Sequence, residues 1–261
     1  MHRAGDRVKS LARRPYHRFW WAPRVRSVLS GALLRRDAVE TTHLLGFREG
    51  WDALGPVQRD EAFALFGLLR ALRPRTVVEF GFYDGRSAFN TLRALDPDAR
   101  LYAYDVTDLS EEIAAELFAA EPRLTFLRKS QAEFDPADVD GRPVDFAFLD
   151  ASHEFELNRE TLRRLIPALA PGAVVAVHDT GTVHREHAPA RHFPEAAVPG
   201  SPQWVSEDAF EHHPGERATV NWLRDEHPDF AQIHLHTHRV PRWGLTLLQR
   251  SERLPTSGRA A

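Results

Sequence analysis

The sequence predicts an α/β fold with a doubly wound, mostly parallel, seven-stranded sheet that an antiparallel strand closes. Short apolar runs alternate with segments of helical periodicity from position 58 to position 177. The run Val144–Leu149 is nearly all apolar, as expected for a strand that is buried on both faces of a parallel sheet. Two later runs, 232–238 and 243–249, are separated by a short connection and predict an antiparallel pair.

The predicted elements follow one another at regular intervals. Apolar residues recur at helical spacing over 58–72, and Pro74 ends that helix. The other elements are predicted, in turn, as helices over 87–95, 110–120 and 157–169 and as strands over 76–80, 101–105, 123–127, 144–149 and 173–177. Strands that alternate with helices in this way are joined by crossovers, so we expect them to be parallel.

The domain organisation follows from composition. Residues 1–55 are rich in arginine and aromatic residues, and we interpret them as an N-terminal arm that is mobile or packs against another subunit. A lid over the ligand cleft is an alternative, and a membrane or nucleic-acid arm is a weaker one because the chain as a whole is acidic. We predict one domain over 56–251 with a long proline-rich loop at 180–215, and a disordered tail at 252–261.

Composition narrows the classes of partner. The net charge of −3 gives no general reason to expect nucleic acid. The chain contains no cysteine, which excludes disulfides, thiolate metal sites and cysteine nucleophiles. No apolar run is long enough to span a bilayer, so we expect a cytoplasmic protein with a small-molecule partner and no membrane partner. Any self-association is expected through the arm.

A glycine-containing turn follows the first predicted strand. Gly81 and Gly85 allow close approach of a ligand and turn dihedrals that other residues disfavour. Asp105 ends the second strand, where a carboxylate can accept both hydroxyls of a ribose. The spacing G-x-G-x-x-G of dinucleotide sites is absent, so the sequence favours a smaller nucleoside ligand.

Acids and imidazoles follow the fourth and fifth strands. Asp150 and His153 come after one, and His178 and Asp179 after the other. Any one of these residues is most simply explained as a cap or a loop residue. Because the carboxyl ends of neighbouring parallel strands share one edge of the sheet, the set together predicts a functional site.

The motifs resemble a known family. The segment Glu79–Ser87 is similar to the first motif of class I S-adenosylmethionine-dependent methyltransferases, with Tyr83 where glycine is commoner. Its Tyr-Asp-Gly-Arg-Ser form, the Asp150-x-x-His153 tip and His178-Asp179-Thr180 resemble methyltransferase family 24, whose members include sugar and natural-product O-methyltransferases. The resemblance covers about residues 58–250 and implies a Rossmann-like fold and methyl transfer to a small-molecule hydroxyl.

The resemblance also implies roles for individual residues. The cofactor S-adenosylmethionine would be bound by Glu79, Gly81, Tyr83, Gly85, Ser87, Asp105, Ser130, Gln131 and Asp150. His153 would be the general base, because imidazole titrates near neutral pH, with Asp150 and His178 as further catalytic residues. A divalent cation such as Mg²⁺ would lower the pKa of the acceptor hydroxyl, with Asp150, Asp179 and His178 as ligands.

The sequence leaves alternatives open. Sugar-modifying relatives have adjacent acids where this chain has His178-Asp179, which leaves two obvious carboxylates for a metal, or a site without metal. A cephalosporin-hydroxylase-like oxidation on the same fold is one rival function. A non-catalytic S-adenosylmethionine-binding subunit that acts on a partner is another.

Overall fold

The computed structural model describes residues 57, 59–181, 204–207, 210–235 and 244–251. The predicted arm at 1–55 and the predicted tail at 252–261 lie outside the described residues. The predictions for those two segments therefore stay predictions.

Five α-helices and nine strands are found in these residues. They are α1 (Arg59–Leu72), β1 (Thr76–Phe80), α2 (Arg86–Ala94), β2 (Arg100–Asp105), α3 (Asp108–Leu117), β3 (Leu124–Arg128), β4 (Val144–Leu149), α4 (Phe155–Leu165), β5 (Leu169–Val177), β6 (Trp204–Glu207), β7 (Phe210–Pro214), α5 (Gly215–Glu226), β8 (Phe230–Leu235) and β9 (Leu245–Arg250). Short 3₁₀ helices occupy Gln131–Glu133, Pro136–Val139 and Ile166–Ala168.

The main sheet has seven strands in the order β3-β2-β1-β4-β5-β9-β8. Strands β1 to β5 are parallel, and β9 is antiparallel to both of its neighbours. The predicted fold class is thus confirmed. The chain runs outward from β1 to β3 and returns to β4, so the strand order reverses between β1 and β4. Ligands of doubly wound sheets bind at the carboxyl ends of the strands at this switch point.

Apolar residues cover both faces of the sheet. Within β1, Val78 and Phe80 belong to one buried cluster, while Val77 belongs to another, as the alternation of side chains along a strand requires. Leu162 of α4 is fully buried in the first cluster, and Leu92 of α2 is buried in the second. Each such side chain stabilises the fold by ~1.5–3 kcal/mol relative to an exposed one, which makes the sheet a rigid base for its carboxyl edge.

Two helix boundaries differ from the predictions. Helix α3 begins at Asp108, earlier than predicted, because the Thr107 hydroxyl caps it by accepting from the Ser110 amide at 3.2 Å. Helix α4 ends at Leu165, earlier than predicted, and Pro167 lies in a 3₁₀ helix that leads directly into β5.

The predicted loop at 180–215 is wrong in its second half. Strands β6 and β7 pair there as an antiparallel two-stranded sheet, and α5 begins directly after β7. Positions 182–203 lie outside the described residues. None of the helices in the described part of the chain has the length and apolar character needed to cross a bilayer.

Substitution of Gly81 tests the tight packing at the switch point. A Cβ at Gly81 would lie 2.3 Å from the Asp150 carbonyl oxygen, and φ there is +99°. We expect G81A to lower the free energy of unfolding by about 2–5 kcal/mol, because both the backbone conformation and the contact become strained.

The matched control is G67A in α1, where, apart from the helix's own backbone, no atom of the described residues lies within 4 Å of an added Cβ. It should raise the free energy of unfolding by about 0.5–1 kcal/mol, as alanine does in a helix. Urea denaturation measures both variants. Equal effects of the two substitutions would contradict the packing described.

Candidate functional site

The turn after β1 holds its shape through left-handed residues and backbone bonds. Gly81 and Gly85 have φ of 99° and 77°, and Tyr83 has φ of 47°. The amides of Gly81 and Phe82 both donate to the Tyr104 carbonyl, at 2.9 and 3.1 Å. The loop therefore lies against the end of β2 and turns directly into α2, which leaves peptide groups at the carboxyl edge of the sheet.

Asp105 fixes this loop from the side. Its Oδ2 accepts from the Tyr83 amide at 2.8 Å, and its Oδ1 accepts from the amide and hydroxyl of Thr107, each at 3.0 Å. The Ser110 hydroxyl donates to the Tyr83 carbonyl at 3.0 Å. Asp105, which was predicted to bind a ribose, thus also stabilises the loop. Its carboxylate retains lone pairs that can accept from a further donor.

Glu79 is a buried acid beneath the loop. It is 1% exposed, and the Ser87 hydroxyl donates to its Oε1. Its Oε2 has no hydrogen-bond partner among the described residues. The pKa of Glu79 is raised to about 8, chiefly by burial; the hydrogen bond from Ser87 lowers this pKa, and the charges of Asp150 and Asp84 add to the rise. The carboxyl group is thus largely protonated at neutral pH.

Ser130 and Gln131 follow β3 and have structural contacts. Ser130 caps a 3₁₀ helix, with its hydroxyl accepting from the Ala132 amide at 3.4 Å. Gln131 is buried, and its Nε2 donates to Asn158 Oδ1 at 2.8 Å. The Oε1 of Gln131 is buried without a partner in the described part of the chain, so it retains an acceptor for a ligand.

The acids and imidazoles after β4 and β5 lie directly beside the loop. The Asp150 amide donates to the Phe80 carbonyl at 2.8 Å, and the His178 amide donates to the Leu149 carbonyl at 3.0 Å. The ends of β1, β4 and β5 are therefore paired up to the last residue. The close contact between Gly81 and the Asp150 carbonyl brings the predicted cofactor loop against the rim of the site, by which we mean Asp150, His153, His178 and Asp179.

His178 is held between two carboxylates. Its Nδ1 lies 2.9 Å from Asp150 Oδ1, its Nε2 lies 2.8 Å from Glu61 Oε2, and the residue is 3% exposed. Burial lowers the pKa of His178, but the charges of Asp150 and Asp179, together with the hydrogen bonds to Asp150 and Glu61, outweigh burial and leave the pKa well above 6.5. The ring is therefore an imidazolium at neutral pH, and it could bind a metal only by losing one of these bonds.

His153 contacts a different pair of acids. Its Nδ1 forms a hydrogen bond with Glu216 Oε1, and Asp179 Oδ2 lies 3.8 Å from the same nitrogen. The His153 side chain is 31% exposed, whereas that of Glu216 is 4% exposed. One edge of the ring thus faces a buried acid while part of the ring is open to solvent.

Asp179 stands between the two histidines. It belongs to two groups of metal-ligand type, Asp150–His178–Asp179 and His153–Asp179–Glu216, in each of which the ligand atoms lie within 4.8 Å of one another. Its φ of 55° is unusual for a residue other than glycine, and such strain is concentrated at functional positions. The structure thus brings together all four residues predicted at the rim.

Two residues of this network were missed from the sequence. Glu61 and Glu216 both lie in the first turns of helices, α1 and α5 respectively. Acids are common there because they complement the helix dipole, so neither position is unusual in the sequence. The sequence signal near Glu216 was the preceding Pro214-Gly215 pair, which indicates a turn directly before the helix.

The central part of the chain is similar to a known protein family. Residues 78–180 match the model of methyltransferase family 24, described as a methyltransferase domain. Residues 78–180 are therefore similar to a methyltransferase domain. The resemblance inferred from the motifs is thereby confirmed over this segment, which includes the loop at 81–85 and the rim residues Asp150, His153, His178 and Asp179.

Curated relatives of the methyltransferase domain match over part of their length. A protein of Arabidopsis thaliana that carries the name of a caffeoyl-CoA O-methyltransferase is 26% identical over 125 residues, which are 46% of this chain and 53% of that protein. A second relative, from Sinorhizobium fredii, is 31% identical over 133 residues, which are 14% of its length. The chain thus spans about half or less of the curated relatives that it matches.

Solved structures share the fold of the methyltransferase domain. The O-methyltransferase TomG from Streptomyces achromogenes, involved in tomaymycin synthesis and solved with S-adenosylmethionine, is 22% identical with a TM-score of 0.55, over 76% of this chain and 82% of TomG. A Staphylococcus aureus protein named for caffeoyl-CoA O-methylation is 14% identical with a TM-score of 0.62, over 87% of this chain and 100% of that one. At these identities the likeness establishes the fold.

The raised pKa of Glu79 predicts a pH-dependent stability. The unfolded carboxyl titrates near 4.5 and the folded one near 8, so between these values the folded state holds more protons. The contribution of Glu79 to stability is therefore complete below pH 4.5 and is lost as pH rises toward 8, by at most about 1.4 kcal/mol per pH unit. E79Q removes this titration.

We expect the stability of E79Q relative to the unsubstituted protein to increase between pH 5 and pH 8. Thermal denaturation without added ligand at the two pH values measures this difference. E116Q, which changes an exposed acid of α3, is the control and should show no such increase. A constant difference for E79Q across this pH range would exclude a raised pKa.

Proposed function

We propose that the protein is an S-adenosylmethionine-dependent O-methyltransferase that methylates a hydroxyl of a small molecule. The methyltransferase domain and its fold support the reaction class. The observation that carries the choice of a hydroxyl acceptor is an imidazole, His153, that is bonded to a buried acid. It lies on the segment after β4 whose Asp150 meets the turn at 81–85. A sugar or another natural-product hydroxyl is the acceptor that the family resemblance favours, and the named role of TomG in tomaymycin synthesis agrees with it.

The cofactor is proposed to lie over the turn at 81–85. Gly81 and Gly85 are themselves buried and shape the turn, whereas Tyr83 between them is exposed. Asp105 has acceptor capacity for a ribose, and Glu79 lies below the turn as a buried acid. A cationic amino group close to Glu79 would stabilise its ionised form, so binding would release a proton at neutral pH. When bound, S-adenosylmethionine supplies an electrophilic methyl group on a sulfonium.

His153 is proposed to take the proton of the acceptor. A hydroxyl becomes a competent nucleophile as its proton leaves, and a positioned imidazole is the most common base for this step. The Glu216 carboxylate on the other edge of the ring stabilises the imidazolium that forms. Positioning of the hydroxyl against the methyl group removes much of the entropy cost of a two-substrate reaction.

His178 is proposed to position Asp150 rather than to transfer protons. It is an imidazolium that donates to Asp150 and to Glu61, so the Asp150 carboxylate is fixed in orientation and partly neutralised. Asp150 and Asp179 present oxygen ligands at the rim, which fit a hard divalent cation such as Mg²⁺. Such an ion would orient the acceptor hydroxyl and lower its pKa.

Removal of the proposed base should separate binding from turnover. H153A should bind S-adenosylmethionine with unchanged affinity in calorimetry, and its methyl transfer should fall by ~10²–10⁴-fold. Turnover is followed as transfer of a labelled methyl group from S-adenosylmethionine to a panel of catechols and glycosides.

The control for H153A is H227A. His227 follows the C-terminal end of α5, whereas Glu216 lies at its start, so the affinity for S-adenosylmethionine and the rate of methyl transfer should both stay unchanged. Normal turnover of H153A would place the base elsewhere. Absence of S-adenosylmethionine binding by the unsubstituted protein would overturn the proposed function itself.

Metal removal tests the proposed role of the carboxylates. After exhaustive chelation we expect methyl transfer to fall and Mg²⁺ to restore it, because the hydroxyl loses an electrostatic partner. Mg²⁺ binding measured by calorimetry should be weaker in D179N than in the unsubstituted protein. Full turnover at a metal content of zero, measured by elemental analysis, would exclude metal assistance.

A further inference from the structure

We infer that Glu216 is the positioning residue of His153, which holds the ring in the Nδ1–H tautomer and makes Nε2 the nitrogen that accepts the proton. The inference deepens the proposed function and rests on it for the role of His153. Glu216 lies on α5, 63 residues beyond His153, and no motif of the methyltransferase segment 78–180 includes it.

An ionised Glu216 carboxylate would select one tautomer of the His153 ring. His153 Nδ1 is bonded to Glu216 Oε1, and an ionised carboxylate can only accept. The hydrogen of the neutral ring therefore belongs on Nδ1, which leaves the lone pair on Nε2. A ring in the other tautomer would set its Nδ1 lone pair against the carboxylate, which is unfavourable in a buried setting.

Glu216 is better placed for this task than the other nearby acid. Asp179 Oδ2 lies 3.8 Å from the same nitrogen, which is too far for a hydrogen bond, and Asp179 Oδ1 lies 3.4 Å from His178 Nδ1. Glu216 is 3% exposed, so water competes little for its carboxylate. Asp179 places a negative charge near both histidines, whereas Glu216 forms a hydrogen bond that orients the ring of His153 alone.

The backbones of the two residues are also held together. A Cβ at Gly215 would lie 2.2 Å from the His153 carbonyl oxygen and 2.8 Å from the Phe155 amide nitrogen, so only glycine permits this approach. On the other side, Asn158 Nδ2 donates to the Ser152 carbonyl at 2.8 Å. The start of α5 and the tip after β4 therefore form one packed unit that sets the distance between the two side chains.

The tautomer can be measured without an acceptor. Long-range proton–nitrogen spectra of ¹⁵N-histidine-labelled protein distinguish a pyrrole-type from a pyridine-type nitrogen, and H153Q identifies the His153 signals by their loss. We expect Nδ1 of His153 to be pyrrole-type in the unsubstituted protein. In E216M, which keeps the length of the side chain but offers only a weakly accepting sulfur, the major form should change to Nε2–H.

Turnover provides the second readout. E216M should lower kcat for methyl transfer by ~10–10²-fold, a part of the contribution of a general base, while calorimetric affinity for S-adenosylmethionine stays the same. E216Q, whose amide oxygen can still accept from Nδ1, should retain more of the Nδ1–H form and more of the activity than E216M. The control is E226M, which changes an exposed acid at the end of the same helix and should alter neither readout.

Each result decides one point. An Nε2–H ring in the unsubstituted protein, or an unchanged tautomer in E216M, would overturn the inference. If E216M does not fold, as thermal denaturation will reveal, the same comparison is made with E216A, whose side chain has no acceptor, and there an unchanged tautomer population and unchanged kcat would overturn the inference. The expected tautomers together with no methyl transfer to any acceptor would leave the pairing intact and overturn the proposed function instead.

Discussion

The close backbone approach of Gly81 to Asp150 is the constraint on which the rest of the site depends. An added Cβ at Gly81 would lie 2.3 Å from the Asp150 carbonyl oxygen, so the loop after β1 and the tip after β4 touch without side chains between them. This contact lies where the strand order reverses. It places a buried acid, Glu79, and a network of imidazoles and carboxylates at one edge of one rigid sheet.

Charge is distributed unequally along that edge. His178 is enclosed by Asp150 and Glu61 and carries a fixed positive charge, whereas His153 is partly exposed and has one buried carboxylate behind it. The same residue type therefore lies in two different electrostatic environments, because burial and the number of acidic partners differ. Asp179 lies between them and belongs to both groups of metal-ligand type.

The sequence predicted what depends on short-range pattern. The apolar run of β4, the glycine turn after β1 and the residues at the tips of β4 and β5 all follow from local order and from the rules of parallel sheets. Glu61 and Glu216 could not be predicted, because they meet His178 and His153 across 117 and 63 residues of chain. An acid in the first turn of a helix has the same sequence signal whether it faces solvent or a buried histidine.

The enclosed imidazolium has a consequence for the evolution of this rim. Loss of Glu61 or Asp150 alone would leave a buried cation short of a counter-charge, and loss of His178 alone would leave two acids facing each other. Simultaneous replacement by apolar residues would avoid both penalties. The three positions are therefore expected to be inherited as one unit, with intermediate combinations disfavoured among descendants of the same ancestor.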